Sequence, residues 1–123
     1  MTQFFTNLRL LDPQAGTLEP AAVLVRNGVI AEVLAGDATA PNGAEVMDCS
    51  GHILAPGIVD IGVKVCEPGE RHKESYRSAG LAAAAGGVTT MVTRPDTDPA
   101  IDSPETLEFV TRRANEAAPV NVV

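Results

Sequence analysis

The second half of the chain alternates strand-like and helix-like segments, and this succession restricts the fold more than any other feature. Its strand-like runs are rich in β-branched residues, and the segments between them carry helix-capping residues. The predicted elements are, in order, a strand at 59–66, a helix at 73–85, a strand at 88–93, a helix that begins after Ser103, and a strand-like run at 118–123. Such a βαβαβ succession requires parallel pairing, so the sequence predicts an α/β fold.

Both predicted helices have recognisable ends. Gly86 and Gly87 end the first, because glycine readily adopts the left-handed conformation that follows many helices. Ser103 is the expected N-cap of the second, with Pro104 at its first helical position. The apolar stripe predicted on the second helix consists of Leu107, Val110, Ala114 and Ala117 or Ala118.

Residues 1–55 have a different pattern, in which short β-rich runs are separated by turn residues. The runs that predict strands are Phe4–Leu10, Ala21–Arg26, Val29–Leu34 and Ala44–Asp48, after which the chain continues into His52–Leu54. Asn27-Gly28 predicts a tight hairpin, since both residues tolerate the positive φ of a type I′ turn. The sequence therefore predicts a small all-β unit, which by itself would expose its inner face.

Composition excludes some classes of function. The formal net charge is −7 and the sequence pI is near 4.6, so the basic surface needed to bind nucleic acid is missing. No signal-peptide pattern and no membrane-spanning apolar run is present, which favours a cytoplasmic protein without membrane contact. Cys49 and Cys66 are then expected to be free thiols, and Cys49 to be buried.

The strand predicted at 59–66 has two chemically distinct faces, because its residues alternate with period two. One face carries the valines and isoleucine Val59, Ile61, Val63 and Val65; the other carries Asp60, Gly62, Lys64 and Cys66. We expect the first face to pack under helices. The second face carries a column of polar or small groups.

This stretch resembles the first barrel strand of the amidohydrolase superfamily. It is most similar to dihydroorotases and their dihydropyrimidinase relatives, whose pattern is P-G-x-[IV]-D-x-H-x-H-x-R-[ED]-P-G. Residues 56–60 and 67–69 match that pattern. The two zinc-binding histidines of the family fall on Gly62 and Lys64, and its substrate-binding arginine falls on Cys66.

A second motif departs from the family in the same way. The loop after the second barrel strand is M-P-N-T-N-P in the family, and its first asparagine binds substrate. Here the loop is Arg94-Pro95-Asp96-Thr97-Asp98-Pro99, so Asp96 stands at the substrate-binding position. An anionic carboxylate would repel the carboxylate of carbamoyl-aspartate or dihydroorotate, which an amide would bind.

The resemblance implies a larger protein than these 123 residues, since a (β/α)₈ barrel needs roughly 250. It implies that residues 1–55 are the N-terminal half of a composite β-sandwich. Residues 56–123 would be the first strands and helices of an amidohydrolase-type TIM barrel, truncated after its first βαβαβ units. On this interpretation the chain is an N-terminal piece, and its partners include the remainder of its own barrel or further copies of itself.

The resemblance supports two hypotheses about function. In the first, the protein has lost the metal-binding H-x-H and the substrate arginine, is not an enzyme, and needs no cofactor. Inactive dihydroorotase homologues of bacteria are structural partners of aspartate carbamoyltransferase in pyrimidine biosynthesis, and this chain would have that role. In the second, it is a zinc-dependent dihydroorotase or related cyclic amidohydrolase that remains active through residues outside this chain.

The individual side chains also have simpler interpretations. Lys64 is expected to form an internal ion pair with Asp60 or Asp96, in preference to acting as a nucleophile or base. Cys66 is expected to be a small buried filler rather than a catalytic thiolate. The two histidines are expected to be structural or surface residues and not metal ligands; they are His52 and His72.

Overall fold

The computed structural model describes all 123 residues and divides into two compact units, Met1–Pro56 and Gly57–Val123. The first unit is entirely β and the second is α/β, which confirms the predicted fold class. None of the helices is long and apolar enough to span a bilayer.

The first unit is one five-stranded sheet. Its strands are β1 (Thr2–Asp12), β2 (Thr17–Arg26), β3 (Val29–Ala35), β4 (Glu45–Asp48) and β5 (Ile53–Leu54). The order is β3-β2-β1-β4. The strand β5 pairs with a later part of β1, at Arg9 and Leu10. Both hairpins are antiparallel, whereas β4 and β5 run parallel to β1. The strand β1 is longer than predicted, because a bulge at Asn7, with φ of 58°, lets pairing with β2 continue past an interruption.

The hairpin between β2 and β3 is formed as the sequence predicts. Asn27 and Gly28 have φ values of 52° and 79°, and they connect the paired residues Arg26 and Val29. Residues 21–24 of β2 are all buried, since apolar residues pack on both faces of this strand. Other apolar side chains of the unit remain exposed, namely Val29, Ile30, Val33, Val46, Met47 and Ile53.

The second unit is a three-stranded parallel sheet with two helices. Its elements are β6 (Ile58–Val63), α1 (Tyr76–Ala85), β7 (Val88–Thr93), α2 (Pro104–Ala117) and β8 (Asn121–Val122), and the strand order is β6-β7-β8. Residues from all these layers form its core, namely Val65, Tyr76, Ala79, Met91, Val110 and Ala114. The helices therefore bury one side of the short sheet.

The first helix begins three residues later than predicted, at Tyr76 rather than Lys73. Ser75 is the N-cap: its hydroxyl accepts from Ser78 N, and its own amide donates to Ser78 Oγ. Lys73 instead belongs to a turn in which its amide donates to Glu70 O. The helix ends as expected, with Gly86 as C-cap and Gly87 next to it at φ of 80°.

The strand β6 ends at Val63, and the prediction that it extends to Cys66 is wrong. Gly62 has φ of 92° and lies within a register shift between Ile61 and Val63, so the alternation of faces is interrupted there. The neighbouring strand β7 ends at Thr93, and the next residue, Arg94, donates its amide to Val63 O. The residues that follow Val63 therefore have no neighbouring residues of β7 to pair with.

Only part of the predicted apolar face of β6 is buried. Val65, after the strand, is buried and Val63 packs against the helices, but Val59 and Ile61 are 58% and 77% exposed. The second helix shows a similar difference. Ser103 caps α2 with Pro104 at its start, and Val110 and Ala114 are buried as predicted, whereas Leu107 is exposed.

Candidate functional site

The candidate site lies where β6 and β7 end, at the segments 64–75 and 94–103. Lys64 Nζ lies 3.4 Å from Asp96 Oδ2, and Arg94 Nη2 lies 3.0 Å from the same oxygen. All three side chains are about half exposed, at 52%, 42% and 55% for Lys64, Asp96 and Arg94. The carboxylate of Asp96 therefore connects two cations, one from the end of each strand.

Lys64 pairs with Asp96 and not with Asp60. The sequence left both aspartates possible as partners of Lys64. Because β6 ends at Val63, earlier than predicted, Lys64 lies beside the end of β7 and pairs with Asp96. Lys64 is the first residue after the strand, and the bond from Arg94 N to Val63 O holds the β7 end beside it. Asp60 lies inside β6, opposite Met91, and forms no ion pair. An Asp60–Lys64 pair, one of the expected arrangements, is thus absent.

The charges around Asp96 change its acidity. Partial desolvation raises the pKa of Asp96, but the hydrogen bond from Lys64 and the positive charge of Arg94 outweigh it. The net pKa lies below the ordinary value of 3.8 for an aspartate. Asp96 therefore stays ionised to a lower pH than an isolated aspartate, and it is the counter-ion of Lys64 at neutral pH.

The residues at the two histidine positions do not fit a zinc ion. Gly62 offers no donor atom, and a Cβ placed on it would contact nothing within 4 Å. Lys64 brings an ammonium group that already pairs with Asp96, and a cation repels a divalent metal. No three His, Cys, Asp or Glu side chains of the chain lie close enough together to hold a metal ion.

Cys66, at the position of the family's arginine, is half buried and free. Its neighbours in sequence, Val65 and Glu67, are only 2% and 3% exposed, so the backbone is held on both sides of it. The carbonyl of Cys66 accepts from Glu70 N at 2.8 Å, which closes a turn directly after it.

Glu67 is the charged residue that sequence reasoning missed. Its Oε1 accepts from Arg113 Nε at 2.9 Å and lies 3.7 Å from Arg71 Nε, and its Oε2 accepts from Tyr76 N at 3.1 Å. The carboxylate thus joins the segment after β6 to the start of α1 and to the middle of α2. The available signal was Arg113, a charged residue beside the predicted apolar positions Val110 and Ala114 of α2.

The charge of Glu67 changes the pKa values of two neighbouring groups, Arg113 and Tyr76. The hydrogen bond from Arg113 to Glu67 and the charge of Glu67 raise the pKa of the guanidinium above its ordinary value. Burial raises the pKa of the Tyr76 phenol, and the negative charge of Glu67 raises it further. Both groups therefore stay protonated to a higher pH than isolated arginine and tyrosine side chains do.

The segments after β6 and β7 also contact each other directly. Gly69 has φ of 95°, and a Cβ on it would overlap the carbonyl oxygen of Asp98. Lys73 forms an ion pair with Glu70 within the first segment. Glycine at position 69 therefore permits a close backbone approach that no other residue would.

The remaining candidates lie away from this cluster or bind nothing in it. His72 is exposed, and His52 Nδ1 lies 3.1 Å from the carbonyl oxygen of Ser50 in the first unit. Cys49 is also in the first unit, where it is free and half buried beside apolar residues. Lys64, Cys66 and Asp96 are thus the predicted site residues that the structure places at the two strand ends.

Comparison with known proteins identifies the family. A family model described as Dihydro-orotase-like matches residues 51–123. The dihydroorotase of Anaplasma phagocytophilum is 41% identical over 98% of this chain, and that of Bacillus cytotoxicus is 43% identical over 100% of it. The chain belongs to the dihydroorotase-like family. It spans 28% of the length of each of these two relatives.

Solved structures show the same fold for this dihydroorotase-like chain. The L-hydantoinase (dihydropyrimidinase) from Arthrobacter aurescens superposes with a TM-score of 0.87 at 22% identity, over 100% of this chain and 27% of that one. A D-hydantoinase superposes with a TM-score of 0.82 at 28% identity, over 99% of this chain and 26% of that one. The predicted combination of a β-sandwich part with the first α/β elements of an amidohydrolase is confirmed.

Proposed function

We propose that the full-length protein is a dihydroorotase-like protein that has lost metal-dependent hydrolysis and acts as a structural partner of aspartate carbamoyltransferase. One observation carries the first part of this proposal. Lys64, at the position of the second zinc-binding histidine, directs its ammonium group to Asp96 at 3.4 Å. An internal ion pair occupies the strand end at which a zinc ligand would be needed.

The other substituted positions support the same conclusion. Cys66 cannot form the bidentate contact to a carboxylate that an arginine makes. Asp96 carries a negative charge at neutral pH and has no side-chain amide N–H with which to bind the carboxylate of dihydroorotate, as the asparagine of the family would. Zinc would supply a hydroxide at neutral pH when bound. Gly62 and Lys64 give this part of the chain no means to hold it.

The choice of partner rests on the family resemblance. Non-catalytic dihydroorotase homologues of bacteria support the assembly of aspartate carbamoyltransferase, and a protein that retains the fold without the metal ligands suits that role. The apolar side chains that the two units leave exposed, such as Val46 in β4 and Ile61 in β6, provide surface for further packing within the protein or its assembly.

The first experiment measures metal content and dihydroorotate hydrolysis of the full-length protein. The dihydroorotase of Bacillus cytotoxicus, prepared in the same way, is the matched control. We expect no stoichiometric zinc and no turnover above background. Stoichiometric zinc together with measurable turnover would overturn the loss of hydrolysis.

The second experiment restores the family residues in the full-length protein with the triple variant Gly62→His, Lys64→His and Cys66→Arg. Lys64→Met is the control, because it removes the cation without adding a ligand. We expect the triple variant to gain zinc and the control not to. Zinc in neither variant would show that further metal ligands are missing elsewhere in the protein.

The third experiment tests the partner. The full-length protein is mixed with aspartate carbamoyltransferase at micromolar concentration and analysed by size-exclusion chromatography. A shift of both proteins to a larger common species is expected. Independent elution at about 10 µM would remove the partner from the proposal, since a structural partner binds more tightly than that.

A second candidate function is a zinc-dependent dihydroorotase or related cyclic amidohydrolase that acts through residues outside this chain. The observation that favours it is that relatives 41% and 43% identical to the chain are dihydroorotases. It predicts zinc and turnover in the first experiment, so the same measurement distinguishes the two functions.

A further inference from the structure

Glu67 is the only charged residue of the chain that is buried, with 3% of its surface exposed. Both of its oxygens are engaged: Oε1 accepts from Arg113 of α2 at 2.9 Å, and Oε2 accepts from the Tyr76 amide at the start of α1 at 3.1 Å. Arg113 is itself only 24% exposed. A charged group in such surroundings needs its partners, because burial without them is costly.

The place of Glu67 in the fold is as important as its partners. It directly follows Cys66, which stands at the substrate-arginine position of the family, and Val65 on the other side is buried. The strand β6 has already ended at Val63, so no strand pairing holds this segment. Turn hydrogen bonds from Glu70 N to Cys66 O and from Lys73 N to Glu70 O shape the segment internally, so contacts of its side chains are needed to attach it to the helices.

We infer that Glu67 and Arg113 are a positioning pair that holds Cys66 and the segment 64–75 in place over the ends of β6 and β7. This inference goes beyond the proposed function and holds whether or not the protein hydrolyses a cyclic amide. Neither residue would touch a substrate. The pair determines where the residue at position 66 stands, and so what the site can bind.

The ion pairs internal to the segment cannot replace the pair. Arg71 lies 3.7 Å from Glu67 Oε1, but its side chain is 66% exposed and belongs to the same segment, so it does not connect that segment to a helix. The Lys73–Glu70 pair is likewise internal. Arg113 is the cation that reaches Glu67 from a separate element, 46 residues away in sequence.

The test measures local opening in the full-length protein. The variants are Glu67→Gln, Arg113→Gln and the double variant, and the control is Arg112→Gln, which changes the adjacent, exposed arginine of α2 that forms no ion pair. Labelling of Cys66 by a maleimide is followed by peptide mass spectrometry, with Cys49 as an internal reference. Hydrogen exchange of 66–75 is compared with exchange of β7.

We expect Cys66 labelling to accelerate by at least tenfold in each single variant, together with faster exchange of 66–75, while β7 loses less protection than 66–75 and Cys49 labelling is unchanged. The double variant should be no faster than the faster single variant, because both changes remove the same interaction. Arg112→Gln should match the unsubstituted protein.

Three results would overturn the inference. Unchanged Cys66 labelling in Arg113→Gln, a variant of a partly exposed residue that is expected to fold, would show that the pair does not hold the segment. Parallel loss of protection in 66–75 and β7 would show a purely global effect on stability. Multiplication of the two single effects in the double variant would show that Glu67 and Arg113 act independently.

Discussion

Two ion pairs connect the segment after β6 to the chain that follows β7, and they differ in almost every physical respect. Glu67 and Arg113 are 2.9 Å apart, with side-chain exposures of 3% and 24%; Lys64 and Asp96 are 3.4 Å apart, with exposures of 52% and 42%. Water screens the second pair more strongly than the first. The buried pair therefore holds the segment, whereas the exposed pair occupies the position of a metal ligand and contributes little to holding it.

The largest effect is expected from breaking the buried pair with Glu67→Gln. Glu67→Gln replaces the buried carboxylate by an uncharged amide and leaves Arg113 without its counter-ion, so we expect a larger loss in the free energy of unfolding than in the variants that follow. Urea unfolding of the full-length protein measures it. Glu108→Gln, on the exposed part of α2, is the control and should change little. A loss for Glu67→Gln as small as that of the control would contradict the comparison.

The second effect concerns the backbone contact that lies between the two pairs. Gly69→Ala adds a Cβ that overlaps Asp98 O at a φ of 95°, and we expect a cost of about 3 kcal/mol. Gly87→Ala has a similar φ of 80° but open space, so its cost should be about 1 kcal/mol. Equal costs in urea unfolding would show that the close approach of the two segments is unimportant.

A smaller effect is expected from Lys64→Met, which breaks the exposed pair. Since exposed ion pairs are screened and mobile, the melting temperature should change by less than about 3 °C. Asp96→Asn should give the same small change in differential scanning calorimetry. If either variant were as damaging as Glu67→Gln, the two pairs would not differ as their exposures indicate.

The smallest effect is a change in acidity. Lys64→Met should raise the pKa of Asp96 towards its ordinary value of 3.8, since the hydrogen bond from Lys64 is lost. Because the pKa is lowered in the folded protein, its contribution to stability is complete above pH 3.8 and is lost as the pH falls through the folded-state value. Carbon NMR of the Asp96 carboxyl measures this pKa. An unchanged pKa would show that Lys64 does not interact with Asp96 in solution.

Local features of the fold could be predicted from sequence because they depend on neighbouring residues. Asn27-Gly28 forms the predicted hairpin, Ser103 caps α2, and Gly87 follows α1 in the left-handed conformation. The end of β6 and the start of α1 were predicted wrongly. The first depends on where β7 stops, and the second on a capping box that uses Ser78 instead of the more familiar glutamate.

The candidate site likewise has one part that the sequence predicts and another that only the structure shows. The family resemblance of the sequence predicts Gly62, Lys64, Cys66 and Asp96 as altered site positions, because a motif fixes the positions of its residues along the chain. Only the tertiary structure showed that Lys64 pairs with Asp96, 32 residues away, and that Glu67 pairs with Arg113. Which charges meet depends on how strands end and helices pack. A pattern of neighbouring residues carries no information about those distances, whereas burial determines which of the resulting pairs is strong.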